Sequence, residues 1–368
     1  MGLTGRLVIA WVTVALFLVF GYSWLADLSS ILRVAGLFIW LFAVILWCAF
    51  GVVEQADHLA ELLGEPLGTL VLTLSIVIIE VVLIAAVAFG SETAPTLGRD
   101  TMFAVLMIVL NAVVGLALLL GGLRHHEQAY NLQGAVAYLA VIIPLSVIAL
   151  ILPNFTQAEP GGSLTTTQAA FFSVFTVVLY GIFLVLQTGR HRGFFVESGP
   201  STVAAAASAR TEVHNSTGST AVVHSLLLVI TMLPIVLLAK QLAKLIDRGI
   251  AMLEAPPALG GVLIALIVFT PEAIAALRAA LDNQLQRSIN LCLGASVSTI
   301  GLTLPAILGI GLATGTTMVL GLDPTGVTLL ALTLVLSTLT FSGPRTTVLE
   351  GTVHLVVFLV YIVLIFSP

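Results

Sequence analysis

Two lone glutamates, Glu80 and Glu272, interrupt otherwise apolar stretches of the sequence. Each lies twelve residues after the glycine of a Leu-Gly pair, Gly68 or Gly260, that follows a proline. At 1.5 Å per residue, each carboxyl group would lie about 18 Å along a helix, near the middle of a hydrocarbon layer of roughly 30 Å. A charge at that depth costs about 2.5–3.5 kcal/mol, and no basic residue lies one helical turn away. The two glutamates therefore predict binding of a mobile counter-ion, either a metal cation or protons.

The composition indicates that these stretches lie in a membrane. Of the 368 residues, 59% are hydrophobic and 8% are charged, whereas soluble proteins carry about 25% charged residues. The formal net charge of −5 excludes a nucleic-acid-binding protein. Cys48 and Cys292 both lie in apolar runs, so neither a zinc site nor a disulfide framework is expected. We expect no cofactor.

Apolar runs separated by polar residues predict eleven membrane-spanning helices. The runs are too long for transmembrane strands, so a helical bundle is favoured over a barrel. The first run lacks a cleavage site of small residues, which favours a retained helix over a signal peptide. The predicted spans are 7–25, 32–53, 67–89, 101–121, 136–152, 168–188, 221–240, 258–280, 289–311, 325–341 and 346–366.

The stretches around the two glutamates indicate an internal repeat. Both begin at a Leu-Gly pair and both carry a leucine between the glycine and the glutamate, Leu74 or Leu266. Five predicted spans fall in each repeat, and an odd number of spans inverts the second repeat, as in secondary transporters. The predicted organisation is an N-terminal helix (1–31), a first five-helix repeat (32–188), a linker (189–220) and a second five-helix repeat (221–368).

The basic residues predict the orientation of the chain. Of the 13 Lys and Arg residues, eight fall on the side of the N-terminus and five on the other side. This bias places the N-terminus and the linker in the cytoplasm of a cell whose inner membrane the protein spans. Residues 54–65 would then form a cytoplasmic acidic loop. That loop is either simply solvated or senses pH through His58.

Several short motifs identify a family resemblance. These motifs are spread over nearly the whole chain: Ala56-Asp57-His58, Leu63-Gly64-Glu65-Pro66, Ser75 through Glu80, Ala94-Pro95-Thr96-Leu97, Arg99-Asp100, Pro271-Glu272, Asn283-Gln284, Gln286-Arg287, Ser342 through Leu349, and His354. In these residues the sequence resembles the calcium/cation antiporter superfamily and, within it, the calcium/proton exchangers, most closely the bacterial ChaA-type sodium-potassium/proton and calcium/proton antiporters.

The resemblance implies one extra helix plus two inverted five-helix repeats, each contributing one acidic residue to a central cation site. The family motif Gly-Asn-x-x-Glu departs from its usual form here, because Ile76-Val77 and Val268-Phe269 replace the two Gly-Asn pairs. This departure removes two amide oxygens and makes calcium coordination less favourable. Relatives often carry a strongly acidic linker, but this one holds only Glu197 and Glu212, so a regulatory cation site there is not expected.

Hard cations require oxygen ligands, and calcium takes six to eight of them. The two glutamates supply up to four, so other side chains are needed. A hydroxyl among them could instead bond its own helix backbone, and Pro271 could either free a carbonyl group for a cation or simply kink the helix. The candidate lining residues are Thr73, Ser75, Asn111, Thr270, Ser296, Ser298 and Thr299.

The sequence therefore predicts a proton-coupled antiporter that exports calcium, sodium or potassium. Its partners would be these cations, protons and the lipid bilayer, and a homo-oligomer is left open. The same glutamates could alternatively line a passive cation channel. An intramembrane enzyme is not expected, because the sequence offers neither a nucleophile–base pair nor a metal motif such as H-E-x-x-H. Two histidines in apolar spans, His224 and His354, are either satisfied core residues or parts of a proton path.

Overall fold

The computed structural model describes residues 3–63, 67–88, 94–159, 161–195 and 217–367. Eleven helical rods run through this part of the chain, because π-helical segments join two pairs of α-helices end to end. The α-helices are α1 (Leu3–Ala26), α2 (Ile31–Leu63), α3 (Leu67–Ala88), α4 (Leu97–Met107), α5 (Val114–His125), α6 (Leu132–Ser146), α7 (Thr166–Thr188), α8 (Thr217–Met252), α9 (Ala258–Leu281), α10 (Leu285–Ser298), α11 (Leu304–Thr314), α12 (Pro324–Thr340) and α13 (Val348–Phe366).

Three π-helical segments and three short 3-10 helices complete the helical part. Segment Ile108–Val113 joins α4 to α5, Thr299–Thr303 joins α10 to α11, and Val147–Ile151 extends α6. The 3-10 helices are Ala94–Thr96, Leu152–Phe155 and Arg192–Phe195. Two short strands, β1 (Gln128–Ala129) and β2 (Arg345–Thr346), pair antiparallel.

The prediction of an all-helical, polytopic membrane protein is confirmed. Within the described ranges, nine rods are long and apolar enough to cross a membrane. The two remaining rods contain shorter apolar stretches, Thr73–Ala86 within α3 and Pro324–Thr340, which is α12. The eleven rods follow the order of the eleven predicted spans.

The prediction of a loop over residues 54–65 was wrong, because α2 continues to Leu63. The residues beyond 53 are mostly strong helix formers such as Ala, Glu, Gln and Leu. Val52, Gln55, Ala56 and Leu59 are buried and recur at the spacing of one helix face. The polar continuation is therefore amphipathic and remains packed. Gly64, Glu65 and Pro66 lie outside the described residues.

The two ends of the predicted linker lie in helices. The 3-10 helix Arg192–Phe195 buries Phe195 against the rings of Tyr138 and Phe183. Helix α8 begins at Thr217, so residues 217–220 are helical as well. The middle of the predicted linker, residues 196–216 with Glu197 and Glu212, lies outside the part that the structure describes.

The helices divide into two compact units, and each combines segments from both halves of the sequence. The first unit comprises Met1–Leu97 and Asn215–Pro271. In it, α2 packs against α8 and α3, and α1 packs against α2 and α8. The ring of Trp40 on α2 makes an edge contact with Phe17 and a tilted contact with Trp24, both on α1.

The second unit comprises Gly98–His214 and Glu272–Pro368. In it, α5 packs against α13, α6 against α10, and α7 against α11. Small residues allow the first of these helix pairs to approach closely. A Cβ atom at Gly351 would lie only 2.5 Å from the backbone nitrogen of Leu119 and 2.8 Å from the carbonyl oxygen of Gly115.

Connecting segments meet at the two ends of the second unit. At one end, β1 pairs with β2, and Gln128 donates to the carbonyl oxygen of Ala280 at 2.8 Å. At the other end, Ser163 forms a bridge with Val319, and Arg99 donates to the carbonyl oxygen of Gly321 at 2.9 Å. The segments that meet at each end are those expected to share a side when eleven successive spans cross the membrane in alternating directions.

Candidate functional site

Glu80 lies near the middle of α3. At 1.5 Å per residue it is about 20 Å from the start of that helix and about 12 Å from its end. The side chain is completely buried, with 0% exposure. The neighbouring residues Val77, Leu83 and Ile84 on the helix are buried and apolar. The apolar surroundings predicted for this carboxyl group are therefore present.

Glu272 occupies the corresponding place on α9, about 21 Å from its start and about 14 Å from its end. Its side chain is half-buried, and the neighbouring Val268 and Ala276 are buried. Cys292 of α10 is close enough to interact electrostatically with Glu272. Glu80 belongs to the first unit and Glu272 to the second.

Pro271 lies inside α9, immediately before Glu272. Proline has no N–H group, so the carbonyl group of Ile267, four residues earlier, receives no helical hydrogen bond from it. The hydroxyl of Thr270 donates to the carbonyl oxygen of Leu266 at 2.5 Å. Helix α9 therefore carries an unusual backbone turn directly next to the glutamate.

The serine hydroxyls predicted to line the site donate to their own helices. Ser75 donates to the carbonyl oxygen of Val71 at 2.7 Å, Ser296 to that of Cys292 at 3.1 Å, and Ser298 to that of Ala295 at 2.9 Å. A hydroxyl that donates to the backbone keeps its lone pairs, so these oxygens can still accept a hydrogen bond or bind a cation. The other two hydroxyl candidates are Thr73, which is half-buried, and Thr299, which is buried.

Asn111 is the fully buried amide of the π-helical segment that follows α4. Its Nδ2 donates to the hydroxyl of Thr333 at 2.9 Å, and its Oδ1 lies 3.2 Å from Nδ1 of His354. The other ring nitrogen of His354, Nε2, lies 3.0 Å from the hydroxyl of Thr340. Thr333 of α12 and His354 of α13 thus engage the two ends of the amide, and Thr340 of α12 engages the far side of the histidine ring.

This network makes His354 a hydrogen-bonded core histidine, which was one of its two predicted roles. Sequence reasoning missed Thr333 and Thr340 altogether. With Ser337, they form a stripe of buried polar residues on α12 at the spacing of one helix face. The spacing of these three residues is visible in the sequence and could have predicted a polar face on this helix.

Two π-helical segments occupy matching places in the two repeats. Ile108–Val113 begins 28 residues after Glu80, and Thr299–Thr303 begins 27 residues after Glu272. They contain Asn111 and Thr299, two of the predicted lining residues. Single π-helical turns inside α-helices frequently mark functional sites. The sequence pattern did not predict either segment.

The described ranges contain no group of three or more His, Cys, Asp or Glu side chains arranged to hold a metal ion. Cys48 and Cys292 are both buried and unbridged. Gly64, Glu65 and Pro66, which belong to the motifs behind the family resemblance, lie outside the described ranges.

Comparison with curated proteins identifies relatives along most of the chain. A putative ionic transporter, y4hA of Sinorhizobium fredii, is 40% identical over 320 residues, which cover 87% of this chain and 85% of that protein. The sodium-potassium/proton antiporter ChaA of Escherichia coli is 37% identical over 325 residues, which cover 88% of this chain and 87% of that protein.

Solved structures share the fold. Native YfkE superposes with a TM-score of 0.74 at 14% identity, covering 99% of this chain and 100% of the other. The H⁺/Ca²⁺ exchanger CAX superposes with a TM-score of 0.70 at 15% identity, covering 98% of this chain and 87% of the other. At such low identity these matches show a common architecture, namely an extra helix and two inverted five-helix repeats.

The family model described as sodium/calcium exchanger protein matches residues 33–189 and 223–367. These ranges include Glu80, Glu272 and every predicted lining residue. The resemblance seen in the sequence motifs is confirmed, and the chain belongs to the sodium/calcium exchanger family of multi-pass membrane transporters.

Proposed function

We propose that the protein is a proton-coupled antiporter that exports calcium, sodium or potassium in exchange for protons. Glu80 and Glu272 carry the cation or the protons in turn. The protein spans the inner membrane with its N-terminus in the cytoplasm. Membership of the exchanger family supports cation exchange, and the name of the relative ChaA, a sodium-potassium/proton antiporter, supports the proton as counter-ion.

The observation that carries the proposal is the complete burial of Glu80 in the middle of an apolar helix. An ionised carboxylate is costly in apolar surroundings unless an opposite charge accompanies it. Two kinds of charge can be exchanged there, a proton on the carboxyl oxygen or a cation beside it. If the site must always hold either a proton or a cation, the movement of the cation in one direction is coupled to the movement of protons in the other.

Alternating access completes the cycle. If the protein reorients only with the acidic groups neutralised, protons bound from one side are released when a cation binds from the other. Inverted-repeat transporters achieve this by moving one part of the bundle relative to another around acidic groups near the midplane. The helical hydrogen bond that Pro271 cannot donate leaves a place where α9 can bend next to Glu272.

The ion selectivity follows from the side chains one turn before each glutamate. Val77 and Phe269 are buried, with exposures of 4% and 2%, and neither offers an oxygen. A site with fewer oxygen ligands penalises calcium most, because calcium requires the largest number of them. We therefore propose broad specificity that includes monovalent cations.

Transport in proteoliposomes tests the proposal. An imposed pH gradient should drive sodium, potassium or calcium against its own concentration gradient in the wild type. Glu80→Gln and Glu272→Gln should each abolish this uphill movement while the purified protein remains folded and monodisperse. The matched control is Glu254→Gln, which changes an exposed glutamate after α8 and should leave exchange unchanged.

Two results would contradict the proposal. Cation flux that only runs down its own gradient would indicate a passive channel. Coupled exchange by a purified Glu80→Gln or Glu272→Gln variant, at a rate near that of the wild type, would remove that residue from the ion site.

A further inference from the structure

The C-terminal part of α2 and the facing part of α8 hold a pair of histidines that the proposed antiport mechanism does not use. His58 lies on α2 and His224 on α8, and their ring centres are 5.2 Å apart with the planes tilted by 39°. His58 is exposed and His224 is half-buried. The two residues are 166 positions apart in the sequence, so the packing of α2 against α8 alone brings them together.

A buried glutamine fixes the hydrogen position on one ring. Nδ1 of His224 lies 2.9 Å from Oε1 of Gln55, and Gln55 is only 2% exposed. A carbonyl oxygen can only accept, so Nδ1 carries the hydrogen and the neutral ring presents its lone pair at Nε2. Metal-binding histidines in proteins are commonly oriented by such a contact at the other ring nitrogen.

The remaining ring nitrogens are available for a ligand. Within the described ranges, neither nitrogen of His58 nor Nε2 of His224 has a hydrogen-bond partner. One helical turn before His58, Glu54 pairs with Arg6 at 2.9 Å, and its second carboxylate oxygen is left out of that ion pair. The acidic residues on this part of α2, which include Asp57, favour the approach of a cation.

The separation of the rings matches that of two imidazoles on one ion. With nitrogen–metal distances of 2.0–2.1 Å, each ring centre lies about 3.2 Å from the metal, and a tetrahedral angle then puts the two centres about 5.2 Å apart. Imidazole nitrogen suits zinc, copper and nickel, whereas calcium, sodium and potassium prefer oxygen. The pair therefore selects against the cations proposed for transport.

We propose that His58 and His224 form a binding site for a divalent first-row transition ion, such as Zn²⁺, that bridges α2 to α8. Water completes its coordination. Because the chain supplies few ligands, the ion binds reversibly. The site is separate from Glu80 and Glu272, so this proposal does not depend on the proposed antiport.

Metal titration of the purified, tag-free, full-length protein tests the site. Zn²⁺ should bind in one saturable step and raise the unfolding temperature, and Co²⁺ should show the visible ligand-field bands of a four-coordinate site. His58→Ala and His224→Ala should each weaken Zn²⁺ binding by about tenfold or more and remove the bands. His58 is exposed, so its replacement leaves the helix packing intact.

Two variants of Gln55 distinguish its role in orienting the His224 ring from a general effect on folding. Gln55→Glu retains an oxygen acceptor for Nδ1 of His224 and should retain Zn²⁺ affinity. Gln55→Ala removes that acceptor and should weaken binding by about tenfold. The control His126→Asn replaces an exposed histidine at a backbone φ of 66°, which asparagine tolerates, and should bind Zn²⁺ like the wild type.

A background of Glu80→Gln with Glu272→Gln distinguishes this site from the transport site. The proposal expects Zn²⁺ binding to persist in that double variant. It is overturned if binding disappears there, if His58→Ala and His224→Ala bind Zn²⁺ like the wild type, or if the wild type shows no saturable binding and the pair responds to protons alone.

Discussion

The imidazole of His354 holds the amide of Asn111 from one side, with Nδ1 of the histidine 3.2 Å from Oδ1 of the asparagine. An amide oxygen only accepts, so Nδ1 carries the hydrogen and Nε2 accepts from Thr340. Asn111 in turn donates to Thr333. Every hydrogen of this buried chain therefore has a defined direction with the histidine neutral, which favours a structural role over a proton path.

Thr333→Val should destabilise the protein by about 1–3 kcal/mol, because it leaves the buried Nδ2 group of Asn111 without its oxygen acceptor. Thermal or denaturant unfolding in detergent measures the loss. The matched control is Thr328→Val on the same helix, where an exposed hydroxyl donates to the carbonyl oxygen of Pro324. Equal stability of the two variants would show that the network contributes nothing.

Gly351→Ala should destabilise the pair of α5 and α13 by about 1–3 kcal/mol, because the added methyl group would meet backbone atoms of Leu119 and Gly115 that cannot move aside. Gly309→Ala is the control, since a Cβ there meets nothing within 4 Å, and it should be neutral or slightly stabilising. An unfolding temperature for Gly351→Ala at or above that of the wild type would contradict the close approach.

Val77→Asn combined with Phe269→Asn should shift ion preference toward calcium, because the change restores two amide oxygens near the glutamates. Proton release on adding each cation to vesicles, from neutral to alkaline pH, measures the preference. Val77→Leu with Phe269→Leu keeps both positions apolar and should retain the wild-type order. Wild-type protein that exchanges calcium alone would refute the selectivity argument and leave the glutamates in place.

Deletion of residues 201–209, an uncharged run of Ser, Thr, Val and Ala, should leave the apparent cation affinity unchanged. Without acidic side chains this run cannot store or sense cations by charge. A same-length Gly/Ser replacement separates length from composition, and concentration dependence of exchange is the measurement. A several-fold loss of affinity would reveal regulation that the composition does not indicate.

Alkaline pH should destabilise the protein partly through Tyr130. Burial, with a smaller contribution from the charge of Glu350, raises the pKa of Tyr130 from 10.0 to about 12. Below pH 10 the folded and unfolded forms both keep the proton, so the contribution to stability is fully present. Between about pH 10 and 12 the unfolded chain loses the proton first, and stability falls as the pH rises.

Comparison with Tyr130→Phe measures this contribution. The phenol also donates to the carbonyl oxygen of Gly343, so the variant should be less stable than the wild type at neutral pH. It should then lose less stability than the wild type between pH 9 and 11. Parallel pH profiles of the two proteins would exclude ionisation of Tyr130 as a cause.

The sequence was sufficient for the number and order of the helices, because apolar runs of membrane length have few alternative folds. It was also sufficient for the burial of Glu80. It was insufficient for the end of α2, since hydropathy marks where a span leaves the apolar layer and not where the helix stops. The amphipathic residues after 53 continue the helix outside that layer.

Contacts between distant segments could not be predicted. Asn111 and Thr333 are 222 residues apart, and only the packing of their helices shows that a threonine satisfies the amide. The same is true of His58 and His224, which the sequence presents as a surface residue and a core residue. The π-helical segments were missed because no residue type marks them.

The π-helical turns also change the direction of the side chains that follow them. A hydrogen bond in such a turn spans five residues instead of four, so the additional residue rotates the following part of the rod about its axis. The segments at Ile108–Val113 and Thr299–Thr303 lie at matching distances along the chain from the two glutamates, so both repeats carry this rotation at the same place. The segment at Val147–Ile151 has no counterpart in α12, which is fully described, so the two repeats differ in their fourth rods.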